Sequence, residues 1–132
     1  MPITLNELTT FEGWTLMIFS AENGQRFAGK ICSVKQHGKE ELPNVIIFVD
    51  WMITDDMDQN WRPAISADTG QPITCWSGQF SRAEEITPGE DGNFCINHYP
   101  AQQIIFFYPP GSEFAKKCQK ARNHITKLQQ RV

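Results

Sequence analysis

A chain of 132 residues is of single-domain size and can bury about two-thirds of its unfolded surface, so it folds without disulfides or a structural metal. With 40% hydrophobic and 20% charged residues a disordered chain is excluded, and no apolar run approaches the roughly 20 residues that a membrane-spanning helix requires. The net charge of −3 conceals an asymmetry, because residues 111–132 hold six Lys/Arg against one acid while residues 1–110 hold six against fourteen.

Residues 4–11 are expected to open the chain as a short helix, with Thr4 as N-cap, Glu7 completing a capping box, and Leu5 and Leu8 turned inward. Residues 14–22 and 25–34 flank Asn23-Gly24, the dipeptide of a two-residue type I′ hairpin. That turn predicts Ile18 opposite Gly29 and Leu16 opposite Ile31. Trp14, Leu16, Ile18, Phe27 and Ile31 then share one apolar face. Met17, Phe19, Ala28, Lys30 and Cys32 share the other, which is half apolar and so partly covered. Residues 45–53 read as the strongest strand, with Val45, Ile47, Val49, Trp51 and Ile53 on one side. On its other side Asp50 is a carboxylate among apolar neighbours. If buried it needs a partner, and a Lys or Arg of the last helix would tie helix to sheet.

Residues 54–72 form a long polar connection, and such loops in small domains often carry function. Residues 73–80 are expected as a strand, 81–86 as a helical turn, 87–92 as a turn cluster and 93–99 as a strand with Phe94 and Ile96 inward. Residues 102–108 follow as a buried strand stopped by Pro109-Pro110-Gly111. Ser112 is placed as N-cap of a final amphipathic helix. Its seam of Phe114, Cys118, Ala121, Ile125, Leu128 and Val132 has heptad spacing. The fold class expected is α+β: about five mostly antiparallel strands in a strongly bent sheet or small, partly open barrel, with a short N-terminal helix and a long C-terminal helix packed on it.

Two surfaces stand out. The first is the acidic loop of residues 55–63, where Asp55, Asp56, Asp58, Trp61 and Arg62 could be presented to a partner, since Trp and Arg are frequent interface anchors. Asp56, Asp58 and Asn60 have the spacing that opens many calcium loops. Trp61 stands where the required Gly would be and Ala67 where the Glu would be, so no metal is expected. The second is the basic helix surface of Lys116, Lys117, Lys120, Arg122 and Lys127, which suits phosphate contacts. The plainer reading is a solvated face complementing an acidic body. No aromatics interleave with these cations to stack bases.

Catalytic signatures are absent. Cys95 and His98, three apart on a strand, face opposite ways and cannot form a dyad, and no nucleophile elbow, zinc helix or phosphate loop occurs. Cys32, Cys75, Cys95 and Cys118 have no C-x-x-C spacing and are expected as free thiols. Trp51, Trp61 and Trp76 could line a shared groove. Residues 1–7 carry no basic-then-apolar leader, so a cytoplasmic location is expected. The reading is a small non-catalytic interaction protein of the accessory or mobile-element type, with an inhibitor or adaptor as the kind of role it suits. It takes no cofactor, acts as a monomer or homodimer, and engages another protein through the acidic loop. The alternatives are a nucleic-acid-associated protein using the basic helix, and a small-ligand binder or hydrolase with an aromatic pocket.

Overall fold

Residues 5–39, 41–80, 86–98 and 102–129 are described by the structure, a computed structural model. Among these the chain runs through a 3-10 helix (Leu5–Phe11) and the strands β1 (Thr15–Ser20), β2 (Arg26–Gly38), β3 (Pro43–Val49), β4 (Ile53–Asp55), β5 (Arg62–Pro63), β6 (Cys75–Gln79) and β7 (Thr87–Pro88). A 3-10 turn (Glu90–Gly92), β8 (Phe94–His98), β9 (Gln103–Tyr108) and the helix α1 (Glu113–Gln129) follow. Every strand pair is antiparallel. The sheet therefore has nine strands rather than about five, and it is open, not a barrel. The additional strands come largely from β5 and β7, two residues each, too short to show a period.

The long strand β2 belongs to two arms of the sheet. Its first residues pair with β1 and β4 in an arm ordered β5-β4-β2-β1-β9-β8-β7, and its later residues pair with β3, which also pairs with β6. The expected continuous strand over residues 45–53 is broken into β3 and β4. Asp50, Trp51 and Met52 lie opposite only Gly29 and Lys30, and Cys32 is then an extra residue on β2 between the pairs Ile31↔Val49 and Ser33↔Phe48. An extra residue on one strand bends it, and here both partners carry one, so the pairing turns a corner and resumes its register. A side chain at Gly29 would place its Cβ 3.0 Å from Val49 Cγ2 and 3.1 Å from the Trp51 carbonyl oxygen. The close approach at the corner thus favours glycine there.

Two apolar clusters result. One gathers Leu16, Ile18, Ile31, Val45, Ile47, Ile96, Ile105 and Phe107 from both arms together with Leu8 and Phe11 of the opening helix. Phe11 stacks on Phe107 with ring centroids 4.4 Å apart. The other lies on the opposite side of the larger arm, where Met17, Ala28 and Ile53 meet Cys118 and Ile125 of α1. The helix starts as expected, with the Ala115 amide donating to Ser112 Oγ at 3.3 Å.

The first hairpin departs from its expected register. Asn23 does not adopt the left-handed conformation that a type I′ turn demands of both central residues; of the pair only Gly24 does, at φ 72°. The Asn23 side chain accepts the Gln25 amide at 3.0 Å, and residues 21–24 form a four-residue loop closed by Ser20 and Gln25. Ile18 consequently faces Phe27, and Leu16 faces Gly29. The slip is two residues, which preserves the side on which every residue lies. Leu128 of the expected helix seam is 49% exposed. Thr4, residues 81–85 and Val132 lie outside the described residues.

Candidate binding cleft between the acidic loop and the terminal helix

The cross-strand pair Arg26↔Asp55 anchors the acidic loop. Arg26 Nε donates to Asp55 Oδ1 at 2.9 Å and Nη2 donates to Oδ2 at 2.6 Å, the two-pronged geometry that favours arginine at such sites. Asp55 is fully buried. Its Oδ2 also accepts the Gln59 amide at 3.1 Å, pinning the loop's far side. Trp61 covers the pair, with the Arg26 guanidinium 4.7 Å from its ring centroid, and Phe114 of α1 meets Trp61 edge-on at 6.2 Å. Asp55 is therefore a foundation of the loop and not part of its presented surface.

Burial pushes the Asp55 carboxyl up, but hydrogen bonds from Arg26 and from the Met57 and Gln59 amides outweigh it and hold the group below its ordinary value. The hydrogen bond to Asp55 likewise raises Arg26. The unfolded chain, with an Asp near pKa ~3.9, binds the proton first as pH falls, so the pair's contribution is full above that value and lost through the lower folded pKa. Acid melts are expected to show a decline in Tm setting in below pH ~4 that Asp55→Asn flattens; an unchanged pH profile in that variant would remove this assignment.

Beyond the anchor the loop is exposed. Met57 and Gln59 take left-handed backbone conformations, and Asp58 Oδ1 accepts the Asn60 amide at 3.0 Å and the Asp56 amide at 3.4 Å. Asp56 Oδ2 accepts Arg62 Nη2 at 2.9 Å on the surface. The carboxylates that suggested a calcium loop are thus engaged with the loop's own amides and with Arg62. Among the described residues, no group of three or more His, Cys, Asp or Glu side chains is placed to hold a metal ion.

The fold brings the two sequence candidates together. Gln59, Asn60 and Trp61 form one wall of a cleft of about 430 Å³, and Lys117, Lys120, Ala121 and His124 of α1 form the other. Lys116, Lys117, Lys120 and Lys127 are exposed, and among the described residues none has a carboxylate partner. The acidic body leaves these lysines uncompensated. No protein-family model, curated protein or solved structure matches the chain. The residues of the cleft therefore carry the functional argument by themselves.

Arg122 does not belong to the outer basic surface. It is 8% exposed, pairs through Nη2 with Asp50 Oδ2, and lies 4.6 Å from the Trp51 ring centroid. Helix and sheet are tied as the sequence suggested, although Asp50 itself is at the surface, held by the amides of Lys30 and Trp51. The expected shared tryptophan groove does not form. Trp51 and Trp61 pack in the cluster under α1, while Trp76 packs in the other cluster beside Phe80 and His98.

All four cysteines are free. Cys118 is buried, and burial pushes its thiol up to about 12, so it is no nucleophile at neutral pH. Cys95 pairs with Phe106 and His98 with Gln103 on β9, three positions apart along the strand, which puts them on opposite faces. Among the described residues no helix is long and apolar enough to cross a membrane. Arg26 escaped the sequence reading; its only sequence signal is a charged residue sharing a strand face with Ala28.

Proposed function

We propose that the protein is a small non-catalytic binding module that engages an acidic surface of another protein through the cleft between the tip of the 55–63 loop and α1. The observation that carries this reading is the juxtaposition of half-buried Trp61 with unpaired Lys117 and Lys120. An aromatic floor supplies contact area at small entropic cost, and uncompensated cations beside it speed and orient encounter with an anionic partner. Met57, 52% exposed, and the surface pair Asp56–Arg62 belong to the same loop. An inhibitor or adaptor role suits such a surface.

The test is capture of the tagged chain's partners from source lysate, with nuclease treatment, followed by affinity measurement with the partner found. Trp61→Ala is expected to weaken the complex by about 2 kcal/mol or more. Lys117→Glu/Lys120→Glu is expected to abolish capture while leaving Tm unchanged, because both lysines are exposed. Retention by this double variant would refute the cleft reading. Capture that disappears on nuclease treatment would transfer the lysines to a nucleic-acid backbone instead.

A further inference from the structure

We infer that the opposite flank of α1 carries a separate site for a small phosphate-bearing anion, built around Arg122. A cavity of about 260 Å³ opens there between the helix and the β1–β2 hairpin, lined among others by Thr15, Lys30, Lys116, Gln119 and Arg122. Three of its lining residues are cations and none is an acid. Among the described residues the one carboxylate paired with them is Asp50, on Arg122. Three positive charges against one negative leave an excess that an oxyanion would neutralise.

Arg122 supplies the independent indication. Its side chain is 9% exposed, its guanidinium is covered on one side by Trp51, and Asp50 occupies Nη2. Its Nε–H is shielded from solvent and has no acceptor, so the edge left for a ligand is Nη1, which has no hydrogen-bond partner among the described residues. Arginine presents its donors as a rigid fork that matches phosphate oxygens. Lys30 and Lys116 reach the same cavity from β2 and from the first turns of α1, and neither has a carboxylate partner among the described residues. Gly111, left-handed at φ 88°, lies at the cavity wall, and a Cβ built on it meets nothing within 4 Å. The wall is therefore open at that point. The cavity is too small for a polymer and suits a free phosphate or a short phosphate ester.

This site shares no lining residue with the cleft of Trp61, Lys117 and Lys120, so it stands or falls apart from the proposed function. The test is calorimetric titration of the full chain with inorganic phosphate, with sodium chloride at equal ionic strength as control. Saturable one-site binding with a rise in Tm is expected. Lys30→Gln and Lys116→Gln should each weaken binding about tenfold, the size of one charge-assisted hydrogen bond, with the ligand-free Tm unchanged. Lys117→Gln/Lys120→Gln should leave phosphate affinity as it was. Glycerol 3-phosphate in a second titration distinguishes an esterified phosphate from the free ion, and saturable binding of either supports the site. Absence of saturable binding for both would overturn it. So would an equal loss in Lys117→Gln/Lys120→Gln, which would reveal a general attraction to the helix.

Discussion

Asp55→Ala is expected to lower the unfolding free energy by about 3–5 kcal/mol, the cost of stranding one member of a buried ion pair. Asp55 has no exposed surface, and Arg26 is 9% exposed beneath Trp61 and Phe114. Removing the carboxylate leaves the guanidinium in that setting without its two acceptor oxygens, and frees the Gln59 amide as well. The alanine variant should also loosen the 55–63 loop, because the anchor and Trp61 share one stack. Urea melts measure the loss. The double variant Arg26→Met/Asp55→Leu separates charge stranding from lost packing: replacing both partners by apolar groups should recover most of the stability, since the pair itself is close to neutral against a hydrophobic substitute. A loss below about 1 kcal/mol for Asp55→Ala would mean that the pair behaves as a surface salt bridge.

This pair also marks where sequence reasoning stops. Periodicity reports which side of a strand is apolar; it held for the first hairpin and failed over residues 45–53, whose expected single face splits, Val45, Ile47 and Val49 entering one cluster and Trp51 and Ile53 the other. The faces of the first hairpin survived a register error because the slip was even, so Leu16 and Ile18 still point into one cluster and Met17 and Ala28 into the other. Periodicity carries no information about a charged residue on a covered face whose partner is 29 residues away, as Asp55 is from Arg26. Nor does it sense a corner: the apolar alternation runs through Asp50 from β3 into β4 although the backbone breaks there. Arg122 illustrates an avoidable miss. It lies four residues after Cys118 and three before Ile125, the seam's own spacing, and the helix buries all three. An arginine on a seam implies a carboxylate opposite, and the expected pairing of Asp50 with a Lys or Arg of the last helix falls on Arg122, which the sequence reading had put on the outer surface. The cleft was legible only as two separate surfaces, since the approach of residues 59–61 to α1 is a tertiary fact.

Phe107→Ala is expected to cost about 3–5 kcal/mol, clearly more than Phe106→Ala beside it. Consecutive residues of a strand point to opposite faces, and on β9 those faces meet different partners. Phe107 is 1% exposed, stacks on Phe11 and belongs to the cluster gathered from both arms of the sheet. Phe106 is half-buried in the cluster under α1, beside Tyr108. A cavity at Phe107 is enclosed by elements from both arms and by the opening helix, none of which can move alone to fill it. At Phe106 the cover is a single helix with an exposed outer side, which can settle inward, so the cavity term is smaller. Denaturant melts of the two variants give the comparison directly, and equal costs would contradict the arrangement of a fully enclosed cluster on one side of the large arm and a helix-covered one on the other. The same arrangement explains why β1, β2 and β9 read as apolar on both sides. A bent sheet provides the cover on one face by folding over itself, and α1 provides it on the other. The helix is thereby committed to the sheet through Cys118, Arg122 and Ile125.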